Sequence, residues 1–169
     1  MNKSDIKELQ KKAIGIRKDV LKMLTLAGSG HTGGSLSIVD ILVALYYCEL
    51  RNDPKNPKWP GRDRFLLSKG HACPALYAVL AEKGYFDKED LWALRKLGSK
   101  LQGHSQVGLP GIEISSGSLG QGLSIANGMA LSARLDNLDT RIYCLMGDGE
   151  TNEGQVWEAA MTAAHYKLD

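Results

Sequence analysis

Apolar residues repeat at three- and four-residue steps near the start of the chain and predict one long amphipathic helix. The repeat runs from Ile6 to Ala27 and is followed by Gly28, a residue typical of helix ends. A second helix is predicted from about Ser37, because Ser37 and Asp40 have the spacing of a capping box. This second helix is apolar on most sides, so we expect it to lie inside a larger assembly.

Short apolar runs and helical patterns alternate along the rest of the chain. Strands are predicted at 65–68 and 141–146, and a short strand is also compatible with 112–115. Helices are predicted at 73–83, at 88–97, from about 120 to 135, and over a last apolar stripe of Val156, Trp157, Ala160, Met161 and Ala164. The alternation favours an α/β fold with a mostly parallel sheet flanked by helices. The pattern stops after a helix, where a further strand is expected, so residues 1–169 are interpreted as one partial domain that is incomplete at the C-terminus.

Composition excludes several classes of protein. The net charge is +2 with both signs mixed along the chain, which argues against nucleic acid as the main partner. The longest nearly apolar run, 38–48, is too short to span a membrane, and the N-terminus lacks the apolar stretch of a signal peptide. Cys48, Cys73 and Cys144 are widely spaced, so we expect reduced, buried thiols rather than a zinc site or a disulfide framework. A cytoplasmic location is the resulting expectation.

The most informative chemical group is the aspartate in the run Gly147 to Glu150, directly after the best predicted strand. In open α/β sheets, ligands bind at the carboxyl ends of the strands. The Asp148 carboxylate can supply an oxygen ligand to Mg²⁺ or Ca²⁺. Because Mg²⁺ is usually held by one or two carboxylates together with phosphate oxygens, a diphosphate-bearing cofactor is a reasonable inference. A plain Asp-Gly turn is the alternative.

A second glycine-rich stretch, 116–122, precedes a predicted helix, so its free amides could meet a phosphate or a ring heteroatom. Tight packing of the turn against a neighbour would explain the glycines equally well. A separate G-x-G-x-x-G pattern occurs at Gly28, Gly30 and Gly33, but it follows a helix rather than a strand, and Asp53 after it lies in a loop. The dinucleotide-binding interpretation of this motif is therefore rejected, and a nicotinamide dehydrogenase is a disfavoured alternative.

Three of the four histidines follow a glycine: His31, His71 and His104. A histidine in a glycine-containing loop can donate to phosphate or carry protons, although each alone could be an ordinary turn residue. The fourth, His165, lies on the last predicted helix and is expected to pack.

Glu150, Glu153 and Glu158 crowd the segment that follows Asp148. They could favour the positive end of a helix, which suits Glu153 well. A buried glutamate could instead share a proton with a partner carboxylate across an interface, and both interpretations stay open.

Five motifs occur in order: Ser29 to His31, Ser68 to Ala72, Gly103-His104, Gly117 to Gly122, and Gly147 to Glu150. Together they resemble the thiamine-diphosphate-binding domain of transketolase, and most of all the separate N-terminal subunit of the split bacterial and archaeal enzymes. The resemblance covers nearly the whole chain. Each motif is weak alone, whereas the ordered set is highly specific.

The resemblance implies a thiamine-diphosphate-binding fold and a cofactor site. It implies that Asp148 ligates the metal, Mg²⁺ or Ca²⁺, and that the Gly149 amide and His71 contact the diphosphate. Gly117 and Leu119 would contact the aminopyrimidine through backbone groups.

The resemblance also assigns residues to the substrate and to an interface. His31 and His104 would face the substrate hydroxyls and assist proton transfers. Glu153 and Glu158 would belong to a carboxylate network that joins the two cofactor sites of a dimer. Ser105 departs from the proline that is common at this position, which bears on the sugar-side contacts.

The implied reaction moves a two-carbon ketol unit from a ketose phosphate to an aldose phosphate. The implied partner is a C-terminal subunit that carries the pyrimidine-binding domain, in a dimer of heterodimers, and without it the chain is expected to be inactive. A later asparagine metal ligand of the family lies beyond Asp169. A related thiamine-diphosphate enzyme of the deoxyxylulose-phosphate synthase type, and an inactive remnant that only binds a partner, are the alternatives.

Overall fold

Two parallel strands, β1 (Arg64–Leu67) and β2 (Ile142–Leu145), lie at the centre of the computed structural model, which describes residues 3–168. They pair in register from Arg64 opposite Ile142 to Leu67 opposite Leu145. Six α-helices accompany them in the described residues: α1 (Lys3–Ala27), α2 (Thr32–Leu36), α3 (Val39–Ala44), α4 (Cys73–Lys83), α5 (Gly122–Leu135) and α6 (Gly154–Tyr166). Shorter helical turns are Leu45–Glu49, of the π type, and Gly70–Ala72, Lys88–Ala93 and Gly149–Asn152, of the 3₁₀ type.

The core forms around α4, which follows β1 almost directly. Its residues Cys73 to Ala81 are all buried, as expected for a helix that is apolar on every side. The apolar stripe of α1 covers it, with Ile16, Val20 and Met23 almost completely buried. Since parallel strands require a long crossover connection, α4 and α5 lie between β1 and β2 in the chain.

These features confirm the predicted α/β class with parallel strands and flanking helices. The long first helix, the helices at 73–83 and about 120–135, and both main strands are present, with β1 displaced by one residue from the predicted 65–68. Among the helices of residues 3–168, none combines the length and the apolar character needed to cross a membrane.

The second helix predicted from about Ser37 is present: α3 begins at Val39 and continues directly into the π-helical turn that ends at Glu49. The predicted capping box is wrong, because α3 is preceded by Ile38 and has no side-chain cap. The Ser37 hydroxyl instead donates to the Gly34 carbonyl oxygen at 3.1 Å. This local bond back to the preceding turn competes with capping of the next helix.

Two predicted elements are wrong. An α-helix at 88–97 is replaced by the short 3₁₀ helix, because Arg95 takes a positive φ of 63° and its N–H donates to the Leu101 carbonyl oxygen at 2.8 Å. The stretch 112–115 belongs to neither strand, and the Ile112 N–H closes a turn on Leu109 at 3.1 Å.

Three burial expectations are corrected by the structure. In α6 the buried residues are Val156 and Ala159, whereas Trp157 and Met161 of the predicted stripe are 65% and 69% exposed. Cys48 is exposed rather than buried. His165 is also exposed, and its ring contacts only the edge of the neighbouring Tyr166 ring at a centroid distance of 4.8 Å.

One buried carboxylate joins the amino ends of the two strands. Asp63 accepts the Arg51 N–H at 2.9 Å, the Arg51 guanidinium at 2.7 Å and the Arg141 N–H at 2.9 Å. Burial alone would raise the pKa of Asp63, but the hydrogen bonds from Arg51 and Arg141 outweigh it and hold that pKa below its usual value. The carboxylate therefore stabilises the entry into both strands.

Replacing Asp63 by Asn should lower the free energy of unfolding by about 2 kcal/mol, because an amide cannot accept all of these donors. Urea denaturation at pH 7 measures the change, with the exposed Asp136→Asn as control. A lowered folded pKa gives stability that is present above the unfolded value of 3.8 and lost as pH falls through the folded pKa. Equal stability of the two variants at pH 7 would contradict this role.

Candidate active site

Three segments meet where β1 and β2 end: the residues after β1, the glycine-rich turn 116–122 and the loop after β2. Ser68 and Gly70 follow β1, and the glycine-rich turn 116–122 packs directly on them. A Cβ at Gly70 would lie 2.7 Å from the Ser116 backbone, and one at Gly122 would lie 2.3 Å from the Ser68 hydroxyl. The tight-packing explanation for these glycines is therefore correct at Gly122, and it brings the turn to the carboxyl end of the sheet.

Glu150 lies buried at this meeting point, only 2% exposed. Its carboxylate accepts the Ser68 hydroxyl and the Gly120 N–H, the latter at 2.9 Å, on one oxygen. The other oxygen accepts the Gly147 N–H at 3.0 Å. Of the three glutamates in this segment, Glu150 is thus the buried one.

Asp148 lies on the loop after β2 with an exposed side chain. Its backbone carbonyl accepts the Thr151 N–H at 3.1 Å and the Thr151 hydroxyl at 2.5 Å, which orders the turn. Residues 3–168 contain no cluster of three or more His, Cys, Asp or Glu side chains suited to a metal ion. Mg²⁺ in proteins is commonly held by one or two carboxylates together with phosphate oxygens, an arrangement to which the Asp148 carboxylate could contribute.

Lys69 supplies positive charge to the same place, a role that sequence reasoning missed. The residue is only 7% exposed, and burial lowers the pKa of its ammonium group, whereas the charges of Asp148 and Glu150 raise it. Its Nζ donates to the Ser37 hydroxyl at 3.3 Å. The sequence does contain a signal for this role, because Lys69 directly follows a predicted strand and belongs to the motif Ser68 to Ala72.

The three glycine-adjacent histidines come together on one side of this site. The rings of His31 and His71 are 5.0 Å apart between centroids. A Cβ at Gly117 would lie 3.4 Å from the His104 ring, and one at Gly34 would lie 3.1 Å from the His71 ring. Burial lowers the pKa of His71, and His31, Lys69 and His104 lower it further.

The His104 loop is held by buried polar groups. The Tyr77 hydroxyl lies 3.1 Å from the Gln102 carbonyl oxygen and 3.2 Å from that of His104. Ser105, the departure from the family pattern, is 2% exposed, and its hydroxyl is 3.1 Å from that of Ser116. The serine therefore links this loop to the glycine-rich turn.

The remaining predicted positions border an open surface. Gly117, Leu119, Gly149 and Glu153 are exposed, and a Cβ at Gly149 would meet nothing within 4 Å. Gly120 has a φ of +83°, and a Cβ there would lie 2.8 Å from the Glu153 Cβ, so only glycine fits. Glu153 thus lies against the turn.

One predicted site residue, Glu158, does not join the others within residues 3–168. Glu158 lies exposed on α6, and the hydrogen bonds and ion pairs of residues 3–168 do not link its side chain to the other site residues. Burial raises the pKa of Cys73 and of Cys144 to about 12, so neither is a thiolate nucleophile near neutral pH.

This arrangement suits an anionic cofactor and one divalent cation. Asp148 offers an oxygen ligand, Lys69 offers positive charge, and the surface over Gly149 has room for a bound group. The imidazoles of His31, His71 and His104 offer hydrogen-bond donors and acceptors next to it.

Comparison with known proteins gives one consistent family. Residues 9–169 match the model of the transketolase, thiamine diphosphate binding domain. The chain is 52% identical over 163 residues to the 6-deoxy-6-sulfo-D-fructose transketolase subunit SqwG of Clostridium sp. (strain MSTE9), covering 96% of this chain and 59% of that protein. It is 46% identical over 153 residues to one subunit of the apulose-4-phosphate transketolase of Phocaeicola vulgatus, covering 90% of this chain and 54% of that subunit.

Solved structures agree with the sequence relatives. The transketolase of Campylobacter jejuni superposes with a TM-score of 0.91 at 41% identity, covering 99% of this chain and 27% of that one. The chain therefore spans between one half and three fifths of the length of the two subunit relatives, and about a quarter of this larger enzyme.

The depressed pKa of His71 predicts acid sensitivity. The unfolded chain takes up a proton near pH 6.5, before folded His71 does, so this residue's contribution to stability is present above 6.5 and lost as pH falls through the folded pKa. His71→Asn should flatten the decline of unfolding free energy between pH 7 and 5, measured by urea denaturation, whereas the exposed His165→Asn should not. An unchanged pH slope in the first variant would refute the assignment.

Proposed function

This chain belongs to the transketolase family, whose thiamine diphosphate binding domain it matches, and we propose that it binds thiamine diphosphate together with a divalent cation. The bound cofactor would serve the transfer of a two-carbon ketol unit between sugar phosphates. The observation that carries the proposal is the exposed Asp148 carboxylate at the end of β2, beside the Lys69 ammonium group and open space at Gly149. Residues 1–169 then form a partial diphosphate-binding domain.

Separate residues would hold the two ends of the cofactor. Asp148 would ligate Mg²⁺ or Ca²⁺, and the Gly149 amide and His71 would meet the diphosphate. Backbone groups of Gly117 and Leu119 would meet the aminopyrimidine. When bound, thiamine diphosphate supplies the electron sink for breaking and forming the carbon–carbon bond.

The histidines would orient and protonate the sugar. His31 and His104 are exposed near His71, where they could bind substrate hydroxyls and move protons at the reacting oxygens. The low pKa of His71 favours its neutral form, which both donates and accepts hydrogen bonds. Two relatives are named for a sulfonated and a phosphorylated sugar, which supports an anionic sugar as substrate.

A partner subunit would complete the site. Several relatives are named as transketolase subunits, which supports a second chain that carries the pyrimidine-binding domain, in a dimer of heterodimers. Glu153 and Glu158 are exposed, as a carboxylate network shared across an interface would require. Exposed Trp157 and Met161 on the same helix as Glu158 are consistent with such contact.

Two alternatives make different predictions. A deoxyxylulose-phosphate synthase type is less well supported, because the two subunit relatives and the solved Campylobacter jejuni enzyme are transketolases. A folded remnant that only binds a partner would bind no thiamine diphosphate, even with Mg²⁺ and the partner present.

Asp148→Ala should lower the affinity for thiamine diphosphate at least about 100-fold in the presence of Mg²⁺, because it removes the protein's charged metal ligand. Isothermal calorimetry on the chain assembled with its partner subunit measures this change. Asp136→Ala, a change at an exposed aspartate on the end of α5, should bind like the wild type. Unchanged affinity in Asp148→Ala would remove the role assigned to this carboxylate.

Ketol transfer should depend on the partner subunit. The chain alone should give no measurable transfer from a ketose phosphate to an aldose phosphate, and adding the partner should give turnover that saturates with partner concentration. A coupled assay for the released aldose phosphate measures both. Turnover by the chain alone would contradict the proposal.

A further inference from the structure

We infer that Glu150 is a positioning residue that acts without touching the cofactor, an inference that rests on the proposed function. It sets the geometry of the cofactor cradle, which consists of the glycine-rich turn 116–122 and the loop after β2 that carries Asp148. Glu150 is not one of the groups that would meet the cofactor, the metal or the sugar. Its side chain is buried, whereas Asp148 and Gly149 directly before it are exposed.

Its three hydrogen bonds reach three separate segments, two of which are distant from Glu150 in sequence. Ser68 follows β1, Gly120 belongs to the glycine-rich turn, and Gly147 follows β2. The Ser68 hydroxyl also accepts the Gly122 N–H at 3.1 Å while it donates to Glu150. One carboxylate therefore fixes the start of α5 and the ends of both strands relative to one another.

Two of the three anchored residues adjoin a proposed cofactor or metal contact. Gly120 follows Leu119, which would meet the aminopyrimidine, and Gly147 precedes Asp148, which would meet the metal. The distance between the ring end and the metal end of the cradle is thus governed by one rigid, buried group. Holding such groups in place before the ligand arrives increases affinity.

A carboxylate is required here because every partner is a donor. Three donors point at two oxygens, and glutamine would present its NH₂ group to at least one N–H or O–H. Aspartate is one methylene shorter and could not reach both loops. Asp63 has the same kind of role at the opposite ends of the same strands, so Asp63→Asn is a matched control for Glu150→Gln.

The first test needs no cofactor. Amide hydrogen exchange on the 169-residue chain should become about tenfold faster in the segments 117–122 and 145–149 of Glu150→Gln, the change expected when a hydrogen bond to a charged acceptor is lost. Asp63→Asn, which lowers global stability, should accelerate these two segments no more than it accelerates the amides of α4. If Glu150→Gln does not fold, Ser68→Ala removes one of the three donors and should accelerate exchange in 117–122 alone. Unchanged exchange in Glu150→Gln, or acceleration of the two segments that does not exceed that of α4 in the same variant, would overturn the inference.

The second test separates positioning from general stability. In the complex with the partner subunit, Glu150→Gln should raise the apparent KM for thiamine diphosphate about tenfold at fixed Mg²⁺, with kcat at saturating cofactor nearly unchanged. Asp63→Asn should move neither constant. An unchanged KM beside accelerated exchange would overturn the link to the cofactor. Should the wild-type complex bind no thiamine diphosphate at all, the proposed function fails, while the exchange result still decides whether Glu150 holds the loops.

Discussion

The pairing of two short parallel strands depends on buried carboxylates at both ends, since four residues a strand provide few ladder bonds. Asp63 gathers backbone and guanidinium donors where the strands begin, and Glu150 gathers backbone amides where they end. Burying a carboxylate is costly unless it is well hydrogen-bonded, and both groups meet that condition. The loops that carry Asp148 and the glycine-rich turn are positioned as a consequence.

The proposed ligand site lies where the backbone at the strand ends remains exposed, next to Gly149. The glycines at the strand ends divide into two groups: Gly70, Gly120 and Gly122 allow close packing, whereas Gly149 borders empty space. Close packing brings the turn, the two strand ends and the three histidines together. The open position next to Asp148 then provides room for an anionic ligand and a cation, and the buried Lys69 supplies positive charge that interacts with Asp148 and Glu150.

Local sequence patterns predicted the elements whose structure is determined by the burial of their apolar residues. The long stripe of α1 and the uniformly apolar α4 follow directly from burial. The patterns failed where a distant partner decides the backbone: Arg95 leaves the helical region to bond Leu101, and Ser37 turns back to Gly34. At the site, ordered motifs predicted Asp148 and the histidines. They could not single out Glu150 or Lys69, because burial by long-range packing is invisible in a local pattern.

The central claim is that the ends of β1 and β2 form a metal-dependent thiamine diphosphate site. A crystal structure of the chain with its partner subunit, thiamine diphosphate and Ca²⁺ tests it most directly. The account predicts Ca²⁺ about 2.4 Å from an Asp148 carboxylate oxygen, with the diphosphate over Gly149 and beside His71. A cofactor bound elsewhere, or an Asp148 carboxylate turned away from the ion, would contradict it.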